Sequence, residues 1–66
     1  MQIFINGEEK QFPDGSNMAA IIESLELTGQ RIAVEVNEEL VPRSTFDSHL
    51  LQPGDQIEIV NAIGGG

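Results

Sequence analysis

Alternation of apolar and polar residues predicts a β-hairpin at the start of the chain. Met1, Ile3 and Ile5 occupy every second position, which is the period of a strand with one buried face. The Asn6-Gly7 pair follows, and both residues tolerate the positive φ angles of a two-residue hairpin turn. Residues 8–12 are mostly polar or charged, so we expect this return strand at a sheet edge, where charges discourage aggregation.

The next segment has the period of a helix with one buried face. Its apolar positions fall at i, i+3, i+4 and i+7, namely Met18, Ile21, Ile22 and Leu25. Ser16 or Asn17 can cap the first turn, because either side chain accepts a hydrogen bond from a free backbone N–H. Gly29 stands where a left-handed residue is expected to end the helix. We therefore predict one helix over roughly residues 17–27.

Two more runs with strand periodicity lie in the second half of the chain. They cover residues 31–36 and 56–60, and their inward positions are Ile32, Val34, Val36, Ile57 and Ile59. A short strand over residues 40–41 is expected to stop at Pro42, which has no N–H to donate to a ladder. The irregular stretch that follows is predicted to fill the core beneath a short helical turn, through Phe46, Leu50 and Leu51.

The predicted order of elements is β-β-α-β-β-β, which is typical of an α+β domain. The first and last strands are the most apolar, so both are expected inside the sheet. One helix packed on a mixed sheet of four or five strands is the β-grasp, or ubiquitin-like, arrangement. We predict a single domain of this kind over residues 1–66, with residues 63–66 as a flexible tail.

Charge and composition narrow the classes of partner. The 66-residue chain has eleven acidic and three basic residues, for a formal net charge of −8. This charge disfavours nucleic acid and anionic membranes as partners and favours proteins with basic surfaces. No apolar run is long enough to span a membrane, and no basic segment precedes an apolar stretch at the N-terminus. We expect a cytoplasmic protein, complete from Met1 to Gly66 and monomeric when free.

Residues that would form an enzyme site are mostly missing. His49 is the one histidine, and the chain has no cysteine to pair with it. Glu8 and Glu9, like Glu38 and Glu39, are adjacent in turns or on an edge strand, so they are expected to be solvated charges. No catalytic triad or phosphate-binding loop is visible. We therefore predict no catalytic site, no metal site and no bound cofactor.

The chain finishes with three glycines directly after an apolar strand. Such residues add nothing to a core and are either an inert end or a handle for another protein. Backbone without Cβ atoms can enter a narrow active site, so Gly64 and Gly65 are predicted to give access to Gly66. Extended, residues 61–66 would reach roughly 20 Å from the domain.

Three runs of sequence resemble the ThiS family of sulfur carriers in thiamine biosynthesis. They are VNEELVPRS at 36–44, LQPGDQIEIV at 51–60 and AIGGG at 62–66, and the resemblance extends over essentially the whole chain. The glycine end alone is shared with molybdopterin-synthase small subunits and ubiquitin-like modifiers. The start, MQIF at 1–4, also resembles that of ubiquitin.

The resemblance implies a carrier rather than an enzyme. A ThiF-like adenylyltransferase would use ATP to convert the Gly66 carboxylate to an acyl-adenylate. A persulfide sulfur donor would then supply the sulfur of a C-terminal thiocarboxylate. That group would deliver sulfur to a thiazole synthase of the ThiG type. In this scheme Gly66 carries the chemistry, and the catalytic groups belong to the partners.

A docking surface follows from the strand alternation. If Ile3 and Ile5 face the helix, Phe4 points outward, and the same argument turns Val60 outward, with Ala33 beside it. This face would be continuous with Ala62 and Ile63 and would bind the partners. Its acidic members, Glu35 and Glu58, would meet basic residues of those partners.

Three other functions fit parts of the sequence. A carrier for molybdopterin synthesis would share the glycine end, although those proteins lack the VPRS run. A ubiquitin-like modifier would become conjugated to lysines, and a plain interaction domain would leave the tail inert. Within the VPRS run, Arg43 is expected to be a surface charge.

Overall fold

Over residues 1–61, the chain passes through five strands and one α-helix in the order predicted from its sequence. In the computed structural model, which describes residues 1–61, the elements are β1 (Gln2–Ile5), β2 (Glu8–Gln11), α1 (Met18–Ser24), β3 (Ile32–Val36), β4 (Glu39–Leu40), a 3₁₀ turn (Arg43–Thr45) and β5 (Gln56–Asn61). The tail predicted for residues 63–66 lies outside the described residues.

The strands form one mixed sheet in the order β2-β1-β5-β3-β4. β1 and β5 run parallel, whereas the β1–β2, β3–β5 and β3–β4 pairs are antiparallel. β5 is the middle strand and β1 is its neighbour, which confirms that the two most apolar strands lie inside the sheet. β2, the charged return strand, is at an edge as predicted. With one helix packed on it, this sheet is a β-grasp fold.

The core lies between α1 and one face of the sheet. The alternating residues Ile3, Ile57 and Val34, from the three inner strands, are each almost fully buried. They belong to one apolar cluster with the helix residues Met18 and Ile21. The inward positions predicted for the strands are therefore confirmed, because a period of two places every second side chain on the covered face.

Both hairpins turn through an asparagine with positive φ. Asn6 and Gly7 join β1 to β2 with φ angles of +51° and +84°, and Asn37 and Glu38 join β3 to β4 with +52° and +72°. Two successive left-handed residues match the twist of the strands that they connect. The register of each hairpin is consequently fixed by its turn.

The helix ends earlier than its sequence predicts. Asn17 caps it, because its Oδ1 accepts a hydrogen bond from the N–H of Ala20 at 2.8 Å. At the other end, the left-handed residue that terminates the helix is Glu26, with φ of +60°. Gly29 also has a positive φ, +83°, but it lies in the loop that follows. The N–H of Leu27 reaches back to the C=O of Ile22 at 3.0 Å, which completes a Schellman motif. Leu27 packs against the core, so the chain turns there rather than continuing as a helix.

One predicted core residue points to solvent. Phe46 and Leu51 are buried as expected, but Leu50 is 57% exposed. The chain is extended here: Leu50 forms an isolated antiparallel bridge with Asn17, and the N–H of Leu51 donates to the C=O of Ser16 at 2.9 Å. Successive side chains of an extended segment point to opposite sides, so only one of the two leucines can enter the core.

Candidate functional site

The described part of the chain ends in the middle of the sheet. Asn61, the last residue that the structure describes, pairs with Ile32, and Val60 pairs with Ala33. β5 has β1 on one side and β3 on the other, so the predicted tail follows the central strand of the sheet. The predicted handle and its approach lie outside the described residues: Ala62, Ile63, Gly64, Gly65 and Gly66.

A side chain completes the support of β5 near its end. Backbone pairing between β1 and β5 ends at Asn6, whose N–H donates to the C=O of Ile57 at 2.8 Å. Two residues further along β5, the Ile59 N–H donates to Asn6 Oδ1 at 2.9 Å. The Asn6 Nδ2 group in turn donates to the Ile59 C=O at 3.1 Å. The carboxamide therefore replaces the peptide group of a strand residue that β1 does not have.

The outer face of the sheet, opposite the helix, carries the predicted docking residues. Val60 is 59% exposed, and Phe4 is partly exposed on the side away from the core. Phe4 lies beside Gln56, which is four residues before Val60, so about 13 Å of strand separates the two apolar side chains. The two side chains share one face, as predicted. They do not form a continuous apolar patch, because Glu58 lies on the same face between Gln56, the neighbour of Phe4, and Val60.

Sequence reasoning missed the most exposed apolar residue of this face. Leu40 is 69% exposed and pairs with Glu35 across the β3–β4 hairpin. The two-residue turn at Asn37 and Glu38 sets that register. Counting outward from the turn places Leu40 on the same side as Glu35, so the signal was present in the hairpin pattern.

The outer face is acidic. Glu9, Glu35 and Glu58 all occupy outward positions and are exposed. Within the described strands, no lysine or arginine occupies an outward position. Lys10 pairs with the inward residue Ile3, so it lies on the other side of the sheet. A partner of this face therefore meets negative charge next to isolated apolar side chains.

Other polar residues serve the fold rather than chemistry. Asp55 is 8% exposed; its Oδ1 accepts from Asn37 Nδ2 at 3.0 Å and its Oδ2 from the Gln52 N–H at 2.8 Å. His49 is a partly buried loop residue. Arg43 is exposed as expected, and its guanidinium donates to the C=O of Gln30, which ties the 3₁₀ turn to the loop after α1.

Over the described part of the chain, no group of three or more histidine, cysteine, aspartate or glutamate side chains is arranged to hold a metal ion. Likewise, no helix between residues 1 and 61 is both long and apolar enough to cross a membrane. The prediction that the protein binds no cofactor stays a prediction. Residues 1–61 form a sheet with an acidic outer face, and its central strand ends at Asn61, directly before the residues of the predicted tail.

The fold is that of a ubiquitin-like β-grasp domain, and comparison with known proteins identifies its family. The model of the ThiS family matches residues 3–66. The Escherichia coli K12 protein named sulfur carrier protein ThiS is 33% identical over 66 residues, which cover all of both chains. The crystal structure of the thiamine biosynthesis protein ThiS from Geobacter metallireducens superposes with a TM-score of 0.86 at 26% identity, again over both whole chains. The chain belongs to the ThiS family of ubiquitin-like sulfur carriers.

A further relative combines this domain with a larger protein. The thiazole synthase of Paramagnetospirillum magneticum is 39% identical over all 66 residues of this chain. The chain spans only 20% of the length of that relative. The same kind of domain therefore occurs within the chain of a protein named thiazole synthase.

Proposed function

We propose that this chain carries sulfur for thiamine biosynthesis as a thiocarboxylate on Gly66. The observation that carries the proposal is the end-to-end match to the Escherichia coli sulfur carrier, which includes the glycine tail. The fold agrees with this role, because the central strand β5 leads directly into that tail. The folded domain, residues 1–61, then provides the surface that partner enzymes recognise.

The chemistry begins with activation, since a free carboxylate is a poor electrophile. In the proposed first step, a ThiF-like adenylyltransferase directs a Gly66 carboxylate oxygen to the α-phosphorus of ATP, and pyrophosphate leaves. The terminal sulfur of a protein persulfide then attacks the acyl carbon, and AMP leaves. A second thiol cleaves the S–S bond of the resulting acyl persulfide, which yields the thiocarboxylate and a disulfide. All catalytic groups in these steps belong to the partners, so this chain acts as substrate and carrier.

The proposed acceptor of the sulfur is a thiazole synthase. The occurrence of a similar domain within a thiazole synthase chain supports this pairing, because fusion holds carrier and acceptor at a high effective concentration. Where carrier and acceptor are separate chains, docking must supply the same proximity. Gly64 and Gly65 have no Cβ atoms, which lets the tail enter two different active sites.

The proposed docking surface is the outer face around Val60, extended by Ala62 and Ile63 along the tail. Phe4 adds a second apolar contact about 13 Å away, on the far side of the Glu35–Glu58 row. Apolar residues surrounded by charge of one sign suit a partner with an apolar pocket and a basic rim. Charge complementarity then speeds encounter, and the apolar contacts slow dissociation.

Intact-mass measurement tests the proposed chemistry. The purified chain is incubated with ATP, a ThiF-like enzyme and a persulfide donor, and fragmentation locates any added mass. We expect an AMP adduct without the donor and replacement of one oxygen by sulfur with it, both confined to Gly66. Deletion of Gly66 is the control, and unchanged modification of the shortened chain would show that the mechanism is wrong. Conjugates to lysines of other proteins would instead indicate a modifier.

Binding measurements test the docking surface separately. Val60→Asp adds a charge to an exposed position of the outer face and Phe4→Asp to a partly exposed one, so both are expected to weaken binding to the adenylyltransferase at least tenfold. Leu50→Asp is the matched control, because Leu50 is similarly exposed at 57% but lies outside the sheet. Equal affinities for all three variants would exclude the outer face as the docking surface.

A further inference from the structure

We infer that Asn6 is a positioning residue that fixes the point at which β5 passes into the tail. Its carboxamide makes two hydrogen bonds to one residue, Ile59, and the two residues lie 53 positions apart in the chain. Ile59 in turn is two residues before the end of β5. A residue of the first hairpin turn therefore holds the strand from which the tail departs.

The need for this contact follows from unequal strand lengths. β1 ends at Ile5, which pairs with Ile57, whereas β5 continues to Asn61. On its other side, β5 remains paired with β3 up to the Ile32–Asn61 pair. Without Asn6, the last four residues of β5 would be held from one side only. The carboxamide extends the support on the β1 side by one pairing position.

Asparagine is the residue that meets both demands of this position. The turn requires a positive φ, which is +51° here, and asparagine and glycine tolerate it best. The contact requires an acceptor for the Ile59 N–H and a donor for the Ile59 C=O. A glycine keeps the turn and loses both groups, and an aspartate keeps the acceptor but sets a carboxylate oxygen against a carbonyl oxygen.

The link to activity rests on the proposed function. Adenylation requires the Gly66 carboxylate to lie within attacking distance of a phosphorus atom while the body is docked on the enzyme. Misplacement of a reacting group by about 1 Å can reduce a rate on the order of a hundredfold. The strand end sets where the tail starts, so loosening it lowers turnover without removing the docking residues of the outer face.

Amide hydrogen exchange on the free protein tests the structural part. In Asn6→Gly, we expect exchange at Ile59 and Val60 to accelerate about tenfold, from the loss of two hydrogen bonds at the strand end. Val60 is the informative amide, because by strand alternation its N–H faces β3 and never contacts Asn6. Val34, in the middle of β3, is expected to keep its rate relative to wild type. An unchanged rate at Val60 would show that Asn6 does not hold the strand.

Kinetics of adenylation then separates positioning from general stability. The matched control is Asn37→Gly, which removes the side chain of the equivalent residue in the second hairpin turn, where φ is +52°. Asn37 contacts Asp55 and Gln56 rather than the end of β5. We expect kcat to fall about tenfold in Asn6→Gly with an unchanged dissociation constant, and to stay at the wild-type value in Asn37→Gly.

The outcomes distinguish this inference from the proposed function. If wild-type protein is not adenylated at all, the proposed function fails, and the exchange data still decide whether Asn6 holds β5. If wild type is adenylated and Asn6→Gly turns over as fast as Asn37→Gly, the positioning role is wrong. Partial recovery of the Ile59 exchange rate in Asn6→Asp, which keeps the acceptor, would support the role of the carboxamide.

Discussion

Glu35 and Glu58 face each other directly across the β3–β5 ladder, on the outer face of the sheet. The alternation of the ladder makes them a hydrogen-bonded pair, with Cα atoms about 5.5 Å apart. Both side chains are exposed, and like charges at opposed positions of a ladder are destabilising. The free protein keeps this repulsion in the region that we propose for docking. A basic side chain from a partner would relieve it.

Neutralising one member of the pair is expected to stabilise the free domain. Glu58→Gln should raise the free energy of unfolding by about 0.5 kcal/mol, measured by urea denaturation at low salt. Added salt should reduce the gain, because it screens exposed charges. Glu39→Gln is the control: it removes the same charge from a strand residue whose cross-strand partner is Val36. Equal gains in both variants would point to net charge rather than the Glu35–Glu58 pair.

The end of the helix offers a second stabilising substitution. Glu26 holds a left-handed conformation at φ of +60°, which glycine adopts without steric cost. Glu26→Gly should therefore increase the free energy of unfolding by about 0.5–1 kcal/mol, as followed by thermal denaturation. Glu23→Gly makes the same change inside α1 and should decrease it by about 1 kcal/mol. A loss of stability in both variants would contradict the Schellman assignment.

Two adjacent leucines are expected to respond very differently to truncation. Leu51 is 2% exposed, so Leu51→Ala should lower the free energy of unfolding by about 2–4 kcal/mol through lost burial and a cavity. Leu50→Ala removes the same atoms from an exposed position and should change stability by less than about 0.5 kcal/mol. Chemical denaturation of both variants measures the difference. Similar losses would mean that the extended segment at residues 49–51 is assigned to the wrong face.

Asp55 is predicted to couple energetically to Asn37. Asp55→Asn turns one carboxylate oxygen into a donor that faces another donor, either Asn37 Nδ2 or the Gln52 N–H, at an expected cost of about 1–3 kcal/mol. Asn37→Gly removes one of these partners while keeping the positive φ of the turn. Unfolding measured for both single variants and the double variant gives the coupling energy. Strictly additive losses would show that the two side chains act independently.

Much of the fold was predictable because period and turn chemistry agree along the chain. The alternation of Ile57 and Ile59 correctly predicted which face of β5 is buried, and the Asn6-Gly7 pair correctly predicted the first hairpin turn. The errors fall where one signal competes with another. Gly29 suggested the end of the helix, but packing of Leu27 against the core turned the chain earlier, at Glu26. The prediction that Leu50 is buried was wrong, because apolar character alone does not show which of two adjacent leucines enters the core.

The candidate site was predictable only in part. Alternation correctly placed Phe4 and Val60 on the outer face, but their separation depends on the parallel register of β1 and β5. That register joins residues far apart in the chain and has no local sequence signal. The contact between Asn6 and Ile59 also has no local sequence signal. The hairpin turn alone accounts for an asparagine at position 6, so the second role becomes visible only when β5 is known to lie beside β1. The role of Gly66 stays a prediction.

The central place of β5 has a consequence for synthesis of the protein. Phe4 and Gln56 are neighbours in the sheet although they are 52 positions apart in the chain. A nascent chain that lacks residues 56–61 has no middle strand, so β1 and β3 cannot join into one sheet. Folding must then wait until the last strand has left the ribosome. A fragment of residues 1–55 should accordingly show the amide circular dichroism of an unfolded chain. Chains truncated before β5 would thus be susceptible to proteolysis and would not compete with folded chains for the partner enzymes.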